Sequence, residues 1–369
     1  MLIAGLGNTG SYIAREAKER GFHSVVGTAR NTSRYVPPKG VELIPFSDAK
    51  SVLKICTHLV LTAPPDPNVG DPFLSAFSDA LTSPELSGSL RWIGYVSSTG
   101  VYGDRGGGIV DETSETSPTN DRSRRRIVAE ASWRRAAAAR GVPLDIFRCG
   151  GIYGDAKYNT TFDSLRAGTA RRIVKPGHSF PRIHIDDVAA AVVAAALQPP
   201  AARAAAYPAA ARGERVLHLV DDSLNTPACE VVGYAAELLG VPPPPEEDFA
   251  TAWEGMTPLA RSFWGEDVKV PRRPPHPHPA PVVDCSRPIS SHTRTHTKTR
   301  NSPPSSSRPI AAPRAPSSAA RRAAQVRNEL TKARLGGWAL RYPTYREGYA
   351  AVLADQRRRG RHLPAPARR

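Results

Sequence analysis

The residues best suited to do chemistry stand at the start of the chain. Gly5-Leu6-Gly7-Asn8-Thr9-Gly10 fits G-x-G-x-x-G. Leu2-Ile3-Ala4 before it is a short apolar run, suited to end a buried strand. Tyr12–Arg20 after it is rich in helix formers and stops at Gly21. Strand, glycine turn and helix, in that order, is the context in which this motif holds the pyrophosphate of a dinucleotide. Gly5 allows the tight turn, Gly7 lets the backbone approach the phosphates, and Gly10 lets the helix pack close to the strand. The free N–H groups at the helix start, around Asn8 and Thr9, and the positive helix end complete the anion site.

A second candidate is Arg30, which lies twenty residues past Gly10. An acid near this place would take a ribose 2′-hydroxyl, whereas an Arg accommodates a 2′-phosphate. Arg30, with Thr28 and Arg34, therefore points to NADP, with NAD as the alternative. A third candidate is His184, followed by Asp186 and Asp187. A His–carboxylate pair can exchange protons, but the preferred reading is that the Asp pair caps a helix over Val188–Leu197.

These residues need a sheet to hold them. Strands are expected at Ser24–Thr28, Val41–Ile44, His58–Ala63 and Arg91–Val96, and a further strand and turn at Arg215–Asp222. Alternation of such runs with helical segments predicts an α/β chain with a parallel sheet. Proline at 64 and 65 takes the chain out of the sheet. That makes Thr62, Ala63 and Pro64 a candidate wall of the crevice beyond the strand ends. Pro199–Gly213 is Ala- and Pro-rich and reads as a loop. Cys229–Leu239 reads as an amphipathic helix.

Ser97-Ser98-Thr99-Gly100-Val101-Tyr102-Gly103 follows the strand at 91–96. With the N-terminal glycine motif, this S-S-x-x-V-Y-G segment resembles the extended short-chain dehydrogenase/reductase superfamily, the NAD-dependent epimerase/dehydratase relatives. The likeness continues through Asp111-Glu112 and Ser117-Pro118 in the following loop, Leu144–Gly154 as the sixth strand and its turn, Arg182–Ala189 and Tyr342–Gly348. It implies a Rossmann-type doubly wound parallel sheet with a small C-terminal substrate-binding part. The implied boundaries are 1–198 for the Rossmann domain and 199–267 with 323–355 for the substrate side.

The resemblance also implies a catalytic Ser, matched by Ser98, and a Tyr-x-x-x-Lys pair on the next helix. Aligned on Ala129-Glu130, those positions hold Arg122 and Arg126. Arg122 cannot replace the tyrosine, because a guanidinium keeps its proton. The chain thus resembles an atypical branch lacking the pair. Arg126 is left as a fixed cation for a ribose or phosphate, and Tyr102, Tyr153, His184 or water as proton sources. The resemblance implies an NADP(H)-dependent oxidoreductase or epimerase on a small molecule. The alternative is a catalytically impaired nucleotide-binding sensor or scaffold.

The chain is formally +16, which raises the question of nucleic acid. The stretch 268–322 carries +10 and the tail 356–369 carries +6, so the remainder is neutral. With twelve prolines and nine serines, 268–322 is expected to be a disordered basic insertion, and 356–369 a disordered basic tail. The expected partners are therefore a nucleotide cofactor and a small substrate, with neither nucleic acid nor membrane. His292 and His296 lie near one cysteine only, Cys285, which excludes a zinc finger there. The four scattered cysteines lack a C-x-x-C and fit a reducing compartment. No apolar run has membrane-spanning length, and no targeting segment precedes the first strand. A cytoplasmic protein is expected, or an organellar one if the N-terminus is truncated.

Overall fold

The computed structural model describes residues 1–83, 89–105, 110–154, 161–176, 178–206, 213–223, 226–265, 331, 334–336 and 338–359. The expected insertion 268–322 and the tail from 360 onward lie outside the described residues.

Each apolar run expected as a strand becomes one: β1 Leu2–Ala4, β2 Val26–Ala29, β3 Glu42–Pro45, β4 His58–Leu61, β5 Trp92–Ser98 and β6 Leu144–Cys149. Two pairs of short strands lie outside the main sheet. One joins β7 Gly151–Tyr153 to β9 Arg182–His184; the other joins β8 Arg172–Val174 to β11 Glu246–Asp248. The main sheet has seven parallel strands in the order β10-β6-β5-β4-β1-β2-β3, with β10 at Glu214–Leu219. Chain order reverses between β1 and β4, which makes that gap the topological switch point of a doubly wound Rossmann-type sheet.

Alternation along the strands divides the core. Ile3, Val60, Val96, Phe147 and Leu217 face one side, where helices α1 (Asn8–Glu19) and α6 (Ile185–Leu197) pack together. Leu2, Leu59, Tyr95 and Ile146 face the other side. There α2 (Ala49–Leu53), α3 (Pro72–Thr82) and α4 (Asp121–Arg140) cover the sheet. A strand covered on both faces has no solvent side, which explains its unbroken apolar sequence.

The small C-terminal part includes α5 (Thr161–Arg166), α8 (Ala228–Leu239) and α11 (Tyr345–Arg358) around Phe162, Ala235 and Val352. Beside it, α9 (Phe249–Glu254) and α10 (Pro258–Trp264) pack around Ile173 and Met256.

Three expectations change here. Pro199–Gly213 contains a helix, α7 (Pro200–Ala206). It is anchored by Arg203, which reaches Asp145 at 2.5 Å. The strand β10, grouped above with the substrate side, is an edge strand of the main sheet, paired with β6 throughout. The tail boundary at 356 falls inside α11, where Gln356 is fully buried. Leu335, Trp338 and Leu340 return the chain to the α1/α6 core. No helix among the described residues is long and apolar enough to cross a membrane.

Candidate functional site

The three turn glycines differ in their surroundings. Gly5 has φ +103°, in the left-handed region that side chains resist. A Cβ on Gly10 would lie 2.2 Å from the Gly5 carbonyl oxygen, so helix and turn are in contact. A Cβ on Gly7 would meet nothing within 4 Å. Gly7 therefore borders open space at the start of α1, where the first N–H groups have no intrahelical acceptor. Ser11 is the first to bond back, to the Gly7 carbonyl at 2.9 Å. The first turn of α1 holds no acid to compete for an anion. Helix α1 begins at Asn8, inside the glycine motif, so Asn8 and Thr9 stand half-buried at its positive end.

The neighbouring strands brace this turn. Thr28 of β2 accepts from Gly5 N at 3.2 Å through its hydroxyl and from Leu6 N at 2.7 Å through its carbonyl. Thr62 Oγ1 donates to the Gly5 carbonyl at 2.6 Å, and Ala63 N bonds Ala4 O at 3.3 Å. Thr62 and Ala63 thus fix the shape of the turn, and Pro64 stands exposed beyond them. Arg30 follows β2 directly, exposed and without an ion pair among the described residues.

At the end of β5, Ser98 is half-buried and caps the turn Thr99–Tyr102 by accepting from Gly100 N at 3.2 Å. Arg126 of α4 donates to the Val96 carbonyl at 2.6 Å, two residues before Ser98. One helical turn earlier, Arg122 is exposed and stacks its guanidinium over Phe263 of α10, 5.1 Å from the ring centre.

Tyr102, expected as a candidate proton source, has its hydroxyl engaged in the interior. It is fully buried, and its hydroxyl accepts from Arg148 Nη1 at 2.7 Å and meets His218 Nε2 at 2.5 Å. Arg148 can only donate, so the tyrosine proton is directed to His218. Arg148 also clasps Glu130, at 2.7 and 3.2 Å, and Ser97 donates to the same carboxylate at 2.6 Å. Burial holds His218 neutral, down to about 4, and pushes the Tyr102 hydroxyl well above its ordinary value. These residues form a buried, hydrogen-bonded interior network that joins β5, β6 and β10 to α4.

His184 holds its Nδ1 3.7 Å from Asp186 Oδ2, beyond hydrogen-bond distance, and its ring is engaged elsewhere. It is the N-cap of α6, its Nδ1 accepting from Asp186 N at 3.2 Å. Burial lowers it to about 4. The helix begins at Ile185, and the cap is the histidine, which corrects the expectation of an Asp cap. Asp186 instead pairs with Arg15 of α1 at 2.6 Å. Asp187 accepts from the backbone of Arg341 and Tyr342, at 2.6 and 3.1 Å, and pins the returning C-terminal segment. The Tyr153 ring stacks on Tyr349 of α11 with its hydroxyl buried.

Sequence reasoning passed over Glu130, Arg148 and His218. A signal existed, since charged residues interrupt otherwise apolar strands at regular places. Ser97, Arg148 and His218 are register partners across β5, β6 and β10.

Known structures can now be set beside this geometry. A functionally unknown conserved protein from Silicibacter pomeroyi DSS is 31% identical, with 96% of this chain and 98% of that chain covered, at a TM-score of 0.69. Two further structures share the fold at lower identity. A dTDP-glucose 4,6-dehydratase from Bacillus anthracis in complex with NAD is 15% identical, covering 67% of this chain and 83% of its own, TM-score 0.53. A UDP-glucose 4-epimerase from Stenotrophomonas maltophila with bound NAD is 18% identical, covering 67% and 84%, TM-score 0.50. No family model and no curated protein matches the chain.

Proposed function

The chain belongs to the same family as the Silicibacter pomeroyi protein, and on that premise we propose that it binds a nicotinamide dinucleotide and acts as an oxidoreductase or epimerase on a small molecule. The observation that carries this reading is the contrast between the sealed Gly10 and the open Gly7 at the positive end of α1. A glycine with free space beside it, ahead of three unpaired helix N–H groups, suits a pyrophosphate. NAD in the two fold relatives supports the same choice of cofactor class.

In this reading Gly5 to Gly10 hold the pyrophosphate and Thr62, Ala63 and Pro64 wall the crevice. Arg30 favours a 2′-phosphate, hence NADP(H) over NAD(H). Arg126 serves as a fixed cation toward the cofactor ribose, and Ser98 holds a substrate oxygen. When bound, the nicotinamide supplies or accepts the hydride. The chain's own part is to orient both molecules and to handle one proton. Arg122 keeps its proton near neutral pH and cannot act as the acid. Tyr102, Tyr153 and His184 point inward or hold backbone. The proton then passes to and from water beside Ser98.

That last point favours a second reading, a nucleotide-binding sensor or scaffold without turnover. Calorimetry with NADP(H) and NAD(H), followed by hydride-transfer assays over carbonyl and alcohol substrates, separates the two. Binding without turnover across such a panel would leave the sensor, and absence of binding would remove both.

A further inference from the structure

Helix α4 distributes its charges unevenly. Arg124 pairs with Asp121 at 2.5 Å, and Arg134 pairs with Glu214 at 2.6 Å. Arg122, Arg125 and Arg126 stand at i, i+3 and i+4, on one face of the helix. Among the described residues none of the three has a carboxylate within ion-pair distance. Arg125 Nε is buried without a hydrogen-bond partner. Burial, then Arg126 and Arg125, together push the Arg122 guanidinium below its ordinary range. Arg126 lies within electrostatic reach of the Asp71 carboxylate, whereas the charges that act on Arg122 are the two neighbouring cations, an arrangement that favours an anion beside Arg122 and Arg125.

Two contacts aim this cluster. Arg126 is tied to the Val96 carbonyl of β5, so the face lies beside the strand end that carries Ser98. The Arg122 guanidinium carbon lies over the Phe263 ring, which belongs to α10. Stacking uses the face of a guanidinium and leaves its edge donors free, in the fork that matches a carboxylate or a phosphate. The cluster therefore borders both the sheet end and the C-terminal part.

We propose that Arg122, with Arg125 beside it, binds an oxyanion of the substrate, so that the small molecule is an acid or a phosphate ester. The inference deepens the cofactor-crevice reading and rests on it for the position of the reacting carbon. It also gives the two departures from Tyr-x-x-x-Lys a common sense: positions that elsewhere in the fold serve proton transfer here recognise charge.

The test uses the full chain, with and without saturating NADPH, at constant ionic strength. Malonate and phenyl phosphate are the probes, each titrated by calorimetry. Either probe should bind the wild type. Arg122→Gln should weaken it about tenfold or more, the usual consequence of losing a charged hydrogen-bond pair. Arg122→Lys should weaken it less, because charge remains while the fork is lost. Arg135→Gln, on an exposed arginine of the same helix, should leave it unchanged. Binding of malonate alone assigns a carboxylate; binding of phenyl phosphate alone assigns a phosphate. Equal binding to wild type and Arg122→Gln, or no binding of either probe, overturns the proposal. If NADPH itself fails to bind while probe binding still depends on Arg122, the cofactor reading falls and the anion site stands. If NADPH binds and the probes ignore Arg122, the anion site falls alone.

Discussion

Gly10 lies so close to Gly5 that a Cβ at position 10 would stand 2.2 Å from the Gly5 carbonyl oxygen. The obstacle is backbone, which cannot rotate away. Gly10→Ala is therefore expected to destabilise the protein by about 1–3 kcal/mol, the range of overpacking changes. Gly7→Ala meets no atom and keeps an extended backbone with φ −80°. It should change stability by less than about 0.5 kcal/mol while weakening dinucleotide binding, and Gly7→Val should abolish binding. Urea unfolding and calorimetry on the three variants separate packing from recognition. Loss of stability in Gly7→Ala would show that the space beside it is not open in solution.

Arg30 is exposed and unpaired among the described residues, so replacing it should leave folding alone. Its expected effect is on cofactor choice. The wild type should bind NADP(H) more tightly than NAD(H), and Arg30→Asp should reverse the order, since a carboxylate repels a 2′-phosphate. Equal affinities in the wild type would remove Arg30 from the site.

Asp145 holds three elements together at the opposite end of the sheet. Fully buried on β6, it receives Arg215 of β10 at 2.8 and 2.9 Å, Arg203 of α7 at 2.5 Å and Trp92 Nε1 of β5 at 2.9 Å. Burial alone would raise its carboxyl, but Arg215 and Arg203 outweigh burial and hold it below the usual range. Asp145→Ala leaves two guanidiniums buried without their partner and should cost about 3–5 kcal/mol. The folded value is depressed, so this contribution is present above the unfolded carboxylate value near 4. It is lost as pH falls through the lower folded value. Acid unfolding followed by circular dichroism should show the wild-type loss, and Asp145→Ala should lack that component.

Asp221, just past β10, behaves in the opposite sense. It is 2% exposed, and burial pushes its carboxyl up to about 7 although Arg182 pulls it down. With the folded value above the unfolded one, its contribution is present below about pH 4 and lost as pH rises toward 7. Asp221→Asn should remove that slope. Relative to wild type, the variant should gain on the order of 2–4 kcal/mol between pH 4 and 8. Denaturant unfolding at several pH values checks this, and parallel wild-type and variant profiles would refute it.

The sheet was legible because burial on both faces leaves a plain mark, a short apolar run such as Leu59-Val60-Leu61. The glycine turn was legible because each glycine answers a local demand. Tyr102 was not, since its surroundings come from Arg148 and His218, 46 and 116 residues away. No local pattern tells a V-Y-G tyrosine in the cleft wall from one folded inward. The cap of α6 was misread for a related reason. His184, Asp186 and Asp187 can each accept from a helix start, and it is Arg15 on α1 and the backbone at 341 that occupy the two carboxylates. The strand β10 was given to the wrong part because the Ala/Pro-rich stretch before it resembles a domain linker, while its pairing with β6 is set by long-range register.

Ser98 and Tyr102 finally separate the enzyme from the sensor. Ser98 ends β5 at the carboxyl edge of the sheet and is only half-buried, and in the proposed reading its hydroxyl meets the substrate. Tyr102, four residues on, accepts from Arg148 and directs its own proton to His218. Tyr102→Phe is expected to cost about 1–3 kcal/mol of stability, because it leaves buried polar partners unsatisfied. It should leave the pH profile of any hydride transfer unmoved. Ser98→Ala should instead lower turnover about 10²–10³-fold, as loss of one donor to a reacting oxygen does, and cost about 1 kcal/mol of stability through the lost cap on Gly100 N. Stopped-flow reduction at several pH values, beside thermal unfolding of both variants, reads the two effects independently. Unchanged turnover in Ser98→Ala would withdraw the proposed chemistry. A moved pH profile in Tyr102→Phe would return the tyrosine to the reaction and require the interior network to open during it.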